Sequence, residues 1–146
     1  AILFGRVTYG MFNDYWPAAD PEKESVAGPI KRLRKYVVSS TLERAPWGED
    51  GAALVMAADA DQIRRRVEGE AGDVIVWGSL RLTELLFREH LVDELQLHIV
   101  PVVLGAGLPA CPPGAAAARF TLLGSEQLAP DLLATRYAVE RAGPPA

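Results

Sequence analysis

Two stretches of the chain repeat one design: an apolar run, a glycine, and the residues that would start a helix. They are Phe4-Gly5-Arg6-Val7-Thr8 and Trp77-Gly78-Ser79-Leu80. Unpaired backbone N–H groups at a helix start attract anions, and the helix dipole adds to the attraction. A glycine there lets a phosphate come close to the backbone. A third apolar run, Tyr36-Val37-Val38, ends in Ser39-Ser40-Thr41, which supplies hydroxyl donors. If the three runs are parallel strands, their ends share one edge of the sheet, the edge where α/β sheets bind ligands. Three donor-rich strand ends together suit a ligand with several phosphates. Taken singly, each pattern is equally what an ordinary helix start or turn requires. Neither GxGxxG nor GxxxxGKS/T occurs in the chain, so the standard dinucleotide fingerprint and the P-loop are both excluded.

Other reactive residues point to less. His90 and His98 are the two histidines, one at a predicted helix end and one on the polar phase of a predicted strand. No further ligands accompany them at metal-binding spacing, so no metal is expected. Cys111 stands in a Pro-rich stretch with no nearby His to activate it. Asp93 and Glu94 are adjacent at a predicted strand start, where neighbouring side chains point to opposite faces. Trp16, Trp47 and Trp77 are each suited to stacking on a flat heterocycle or, equally, to packing in a core or lid. Asp14 is either a group facing an open pocket or a solvated turn residue.

The elements that must position these residues follow from apolar periodicity and turn chemistry. Ile2 to Phe4 reads as a strand and Val7 to Tyr15 as a helix ended by Trp16-Pro17. Glu22 to Arg34 is charged and part helical, with Gly28-Pro29 as an interruption. Tyr36 to Val38 is a short buried strand, Pro46 to Gly51 a loop, and Leu54 to Met56 a weaker strand. Asp59-Ala60-Asp61-Gln62 has capping-box spacing, followed by a helix with Ile63 and Val67 on one face and Gly69 to Gly72 as its stop. Val74 to Trp77 is apolar without alternation, which predicts a strand covered on both faces. A helix follows Gly78-Ser79 and runs to about His90, with Leu82, Leu85 and Leu86 inward. Then Leu95, Leu97 and Ile99 alternate with Gln96 and His98, a half-buried strand. Pro101 marks an edge or bulge, and residues 105–114 form a loop. Phe120 to Gln127 and Leu132 to Glu140 close the chain as strands, Leu133, Thr135, Tyr137 and Val139 sharing one face. Alternating β and α units followed by consecutive strands imply an α/β domain with a mixed sheet.

The chain has 146 residues, 49% of them hydrophobic and 23% charged. That is one domain's worth, expected over residues 1–140 with 141–146 as a tail. Fifteen Lys and Arg against nineteen Asp and Glu give a net charge of -4, the wrong sign for a nucleic-acid binder. The longest apolar runs fall well short of the ~20 residues of a membrane helix. One cysteine allows no internal disulfide, and cytoplasm is the default setting.

The motifs resemble a known family. Gly5-Arg6-Val7-Thr8-Tyr9, Tyr15-Trp16-Pro17, Lys35 to Leu42, Val76-Trp77-Gly78-Ser79, Leu91 to Leu95 and Val100 to Gly107 follow the order seen in the dihydrofolate-reductase-like superfamily. Within it the chain is similar to bacterial RibD C-terminal domain-containing proteins, which resemble the reductase domain of riboflavin biosynthesis. The resemblance runs from Ile2 to about Tyr137. It implies a mostly parallel central sheet flanked by helices, with antiparallel C-terminal strands. It also implies an NADPH cofactor held by Gly5, Arg6, Thr8, Ser39, Ser40, Thr41, Gly78, Ser79, Leu80 and Arg81. The stretch matching Gly5 to Thr8 would open a helix on the phosphates. Ser39 to Thr41 would lie beside the ribose 2′-phosphate, and Gly78 to Arg81 would hold the pyrophosphate. The residues agree on one point: hydroxyls, not the carboxylate that would bind a free 2′-hydroxyl, end the second strand. Arg6 and Arg44 are available to neutralise a 2′-phosphate.

The chain also departs from the family. Val7 replaces a frequent Lys, and Trp77 stands where the first Gly of a Gly-Gly pair is usual, so a cis bond is less expected there than in a Gly-Gly pair. Leu108 to Pro113 replaces a basic and aromatic pair. The fold's first strand and first helix, source of its proton-handling carboxylate, have no counterpart ahead of Ile2, so no catalytic acid is assigned. On this resemblance a central strand belongs between Val74–Trp77 and Leu95–Val100, and those two strands should not pair directly. The expected function is NADPH-dependent hydride transfer to a small flat heterocycle, pterin-like or pyrimidine-like, by a homodimer. The alternative is a non-catalytic NADP-binding or redox-sensing module on the same fold.

Overall fold

The computed structural model describes residues 1–49, 51–111 and 118–140. By its internal contacts the chain divides into two compact units, Ala1–Thr83 and Glu84–Ala146, where one domain over 1–140 is expected. The expected tail, 141–146, and the end of the 105–114 loop lie outside the described residues.

The first unit is a five-stranded sheet in the order β3-β4-β2-β1-β5. Its elements are β1 (Ile2–Gly5), α1 (Arg6–Tyr15), α2 (Ala27–Arg32), β2 (Lys35–Val38), β3 (Ala45–Trp47), β4 (Gly51–Met56), α3 (Ala60–Glu68) and β5 (Ile75–Val76), with α4 (Leu80–Arg88) beginning at its end. β1, β2, β4 and β5 are parallel, and only β3 runs antiparallel, against β4. Strand alternation assigns the two faces. Ile2 and Phe4 join Val37, Tyr9, Ile30 and Trp47 in the buried core on the α1 side. Phe4 lies 4.9 Å from Phe12 of α1, ring centre to ring centre. On the other face Tyr36 meets α3, where the Arg66 guanidinium lies 5.6 Å above its ring. The Tyr36 hydroxyl donates to Glu70, which also pairs with Arg34 at 3.0 Å.

Three local expectations need correction. Gly28-Pro29 does not interrupt a helix but lies inside α2. Pro29 falls in the first turn, where a missing N–H has no intrahelical partner to lose. Pro46 is not in a loop: β3 pairs Ala45, Pro46 and Trp47 with Ala53, Ala52 and Gly51. As an edge strand it tolerates the proline, and Trp47 at 7% exposure is a core residue. Third, β5 is not covered on both faces. It is a two-residue edge strand, paired only with β1.

Lys35 is the buried charge of this unit, at 6% exposure. Its ammonium donates to the carbonyls of Lys31 and Leu33 and sits 4.5 Å above the Trp47 ring. Burial pushes its pKa below the ordinary 10.5. The capping box of α3 forms in modified shape. The Asp59 carboxylate accepts from the Gln62 N–H at 2.7 Å, while the Gln62 side chain accepts from Ala57 rather than from Asp59.

The second unit is a three-stranded antiparallel sheet in the order β6-β8-β7, with β6 at Glu94–Ile99, β7 at Arg119–Ala129 and β8 at Leu132–Glu140. Phe87 packs edge-on against Phe120, which meets Tyr137 in the same way. β5 pairs with β1, and β6 pairs with β8 in a separate sheet. The mixed α/β architecture, a mostly parallel sheet with a separate antiparallel one, is the expected class.

Candidate functional site

The parallel order β2-β1-β5 places the ends of the three candidate strands side by side on one edge. The chain leaves β1 toward β2 and β4, then returns through α3 to β5 on the other side of β1. The direction of winding therefore reverses between β1 and β5, and the crevice at such a reversal is the usual ligand position in an open α/β sheet.

Three of the expected residues meet there. The Ser79 hydroxyl accepts from the Gly5 backbone N–H at 2.9 Å and donates to the Thr8 hydroxyl at 2.8 Å. A serine at a helix start is expected to cap its own helix. Here Ser79 instead ties the start of α4 to the start of α1. Gly5 is glycine because of this tie: a Cβ there would lie 3.1 Å from the Ser79 hydroxyl and 3.2 Å from its Cβ. The Gly5 N–H, bonded to Ser79, is therefore engaged within the fold.

The anion-attracting features lie just beyond. Gly5 caps α1 with extended backbone and no side-chain hydrogen bond, and no acidic residue stands in the first turn. The first-turn N–H groups of Arg6, Val7 and Thr8 have no intrahelical acceptor. Gly78 has φ +56°, the left-handed region, and a Cβ there would meet only the Thr8 hydroxyl, at 3.9 Å. Ser79 follows with φ +55°. These two turn the chain sharply and leave open space beside α1, so the cradle fits a phosphate group. All peptide bonds of the described residues are trans.

At the end of β2 the Ser39 N–H extends the pairing with β4 by bonding to the Met56 carbonyl. The Ser39 hydroxyl accepts from the N–H groups of Thr41 and Leu42, both at 3.1 Å, closing a serine turn. That turn leaves Ser40 and Thr41 exposed, next in the sheet to β1 and to exposed Arg6. Arg44, Leu80 and Arg81 are exposed as well. Hydroxyl and guanidinium donors without a buried carboxylate suit a phosphate rather than a free diol.

The sequence did not single out Phe12. One turn beyond Thr8 on α1, it stacks on Trp77 with ring centres 5.5 Å apart and planes 28° apart. The signal was present as the spacing Thr8–Phe12, which puts both on one helix side. Of the three tryptophans, Trp47 is core, Trp16 packs at 6.0 Å on Phe12, and Trp77 stays 37% exposed. On the core side of α1 the Tyr9 hydroxyl donates to the Pro46 carbonyl. Its pKa is raised by burial and, secondarily, by Asp14. His90, His98 and Cys111 gather no further ligands: the described residues hold no group of three or more His, Cys, Asp or Glu placed to share a metal ion. Among them, too, no helix is long and apolar enough to cross a membrane.

Known proteins resemble this chain in sequence and in fold. The uncharacterized protein YyaP of Bacillus subtilis (strain 168) is 28% identical over 110 residues, 74% of this chain and 57% of that protein. The chain thus spans little more than half of that relative's length. A Shewanella sp. PV-4 protein, provisionally named for riboflavin biosynthesis, superposes with a TM-score of 0.73 at 19% identity, over 96% of this chain and 73% of its own. RibD of Acinetobacter baumannii gives 0.60 at 15% identity, over 96% and 47%. A pyrimidine reductase-like protein of Corynebacterium diphtheriae gives 0.53 at 19%, over 97% and 76%. At these identities the structures establish a shared fold. The RibD C-terminal domain matches residues 1–134, nearly the whole chain, and this protein therefore belongs to the RibD C-terminal domain family.

Proposed function

We propose that the protein is an NADPH-dependent reductase that passes a hydride to a small flat heterocycle, pterin-like or pyrimidine-like. The observation that carries this is the junction at the β1/β5 crevice. There the uncapped start of α1 and the open backbone at Gly78 are held together by the Ser79 hydroxyl between Gly5 and Thr8. A dinucleotide has phosphates for both features. The first-turn N–H groups of α1 and the chain at Gly78 to Arg81 would take the pyrophosphate. Ser40, Thr41, Arg6 and Arg44 would take the 2′-phosphate. Bound there, NADPH supplies the hydride; the protein's part is to fix geometry and exclude water. Family membership supports the same reading, since RibD C-terminal domains are reductase domains. A cytoplasmic setting follows from the need for a pool of reduced cofactor, and a homodimer belongs to the same proposal.

Calorimetry with NADPH, followed by cofactor oxidation assays against a panel of pterins and aminopyrimidines, tests it. Saturable binding with turnover of at least one heterocycle is expected. Absence of NADPH binding overturns the reading, and binding without any turnover points to the non-catalytic module.

A further inference from the structure

Among the described residues of the first unit, the sheet face over β5 is open on the side that α1 covers elsewhere. Ile2 is the register partner of Ile75, so Ile75 and, two residues on, Trp77 fall on the face that carries Ile2 and Phe4. Over β1 and β2 this face is sealed: Ile2, Phe4 and Val37 are each 0% exposed. Over β5 it is not, with Ile75 39% and Trp77 37% exposed. Trp77 is nevertheless held in place. Its ring stacks on Phe12, and Phe12 is backed by Phe4 and Trp16. The surroundings share one chemistry. Val7, Thr8, Met11, Phe12 and Tyr15 line one side of α1 by their spacing. Val7, Met11 and Tyr15 are each more than half exposed. Neither they nor Ile75 and Trp77 carry a charge. The apolar surface flanks Thr8 along α1, beside the polar cradle at Gly78 and Ser79.

We propose that the free face of Trp77, braced by Phe12, is the stacking platform for the planar ring of the hydride acceptor. The inference rests on the reductase reading, because it takes the neighbouring cradle as the place of the cofactor phosphates. An electron-rich indole face pairs well with an electron-poor heterocycle. Trp77 also follows β5 directly, so the segment that shapes the phosphate cradle carries the platform. Acceptor and cofactor would thus be set in register by three consecutive residues, Trp77, Gly78 and Ser79.

The test uses the whole chain labelled with 5-fluorotryptophan, whose three fluorine resonances are assigned by W16F, W47F and W77F. Pterin and 5-aminouracil are the acceptor probes, each titrated with and without oxidised NADP. The Trp77 resonance is expected to shift with the heterocycle, and more strongly when NADP is present, while Trp47 stays fixed. W77A should raise the dissociation constant of the bound heterocycle at least tenfold. W77F should keep it within about threefold, and neither variant should change NADP affinity more than twofold. Three results overturn the platform: heterocycle binding that leaves Trp77 unmoved, a Trp77 shift produced in full by NADP alone, or no binding of either probe at millimolar concentration. NADP calorimetry on the same sample separates the two readings. Lost NADP binding with a retained heterocycle shift at Trp77 refutes the reductase assignment and leaves the platform standing.

Discussion

The Ser79 hydroxyl accepts a hydrogen bond from the backbone N–H of Gly5 at 2.9 Å, across 74 positions of sequence. One side chain thereby joins the carboxyl end of β1 to the turn after β5 and, through Thr8, to α1. S79A removes the acceptor and leaves a partly buried N–H without a partner, a loss of ~1–3 kcal/mol. Urea denaturation should show that loss as a lower midpoint with an unchanged slope. NADPH affinity should fall with it, because the cradle loses its brace. S79T, which keeps the hydroxyl, should recover part of both.

Gly78 is the position where a side chain would intrude on the cradle. Its φ of +56° costs any L residue ~1–2 kcal/mol, the same for alanine and more for β-branched valine. The space around it is open, so neither replacement meets a clash that would prevent folding. G78V should retain a cooperative thermal transition and lose NADPH affinity strongly, with G78A between. Wild-type affinity in G78V, measured by calorimetry, would move the phosphate site elsewhere.

Cofactor choice depends on the turn closed by the Ser39 hydroxyl onto Thr41 and Leu42. Charge-assisted bonds to a 2′-phosphate contribute ~1.5–3 kcal/mol, so NADPH should bind at least tenfold more tightly than NADH. R6A and R44A should each narrow the ratio mainly by weakening NADPH. Equal affinities for the two cofactors would contradict the assignment of this strand end.

The acid side of the stability curve should carry the mark of Glu70. The Tyr36 hydroxyl bonded to it, and then Arg34, hold its carboxyl below the ordinary 4.5, against a smaller opposing effect of burial. A carboxyl whose pKa is lowered by folding stabilises the native state above the unfolded value. That stability is lost as pH falls through the folded value. E70Q should therefore melt below wild type at neutral pH, and the two should converge under acid conditions. A constant gap across pH 3 to 7, in thermal melts at about these values, would remove Glu70 from the account.

We propose that the protein pairs with itself through the second unit. β7 is an edge strand with Leu122, Leu123 and Leu128 each more than 40% exposed. Exposed apolar edges of this length invite pairing, and a two-fold contact would bring the same strand from both copies together. Light scattering should give twice the chain mass, and L122E should return it to one. A wild-type monomer at high concentration would exclude the pairing.

The sheet order shows which features the sequence could carry. β1 and β2 were legible because fully buried parallel strands are apolar without interruption, and Ile2 to Phe4 and Tyr36 to Val38 are that. The helix at Ala60 was legible through Asp59, whose cap is local chemistry. The strand at Ala45 was not, because Pro46 breaks the pattern and only its antiparallel partner β4 reveals the pairing. β5 misled in the opposite sense: Val74 to Trp77 has the composition of a buried strand but stands at an edge. Within the site, glycines and hydroxyls were visible as types. Their wiring was not, since Ser79 bonds to Gly5 and Thr8 rather than to its own helix, and no local rule joins residues so far apart. Phe12 escaped notice because an aromatic at helical spacing looks like core until its partner Trp77 is seen to be half in water.

β1 lies inside its sheet, flanked by β2 at Lys35–Val38 and β5 at Ile75–Val76. Ile2, Leu3 and Phe4 therefore leave the ribosome long before their second neighbour is made. Until residue 76 is free of the tunnel, one edge of the most apolar strand stays open, a state that favours association with chaperones or with other nascent chains. Closing β1 against β5 joins residues 73 positions apart, and such distant pairings form late and slowly. Folding of the first unit should thus be limited by the arrival of β5, and the crevice between β1 and β5 would be the last part of the sheet to take shape.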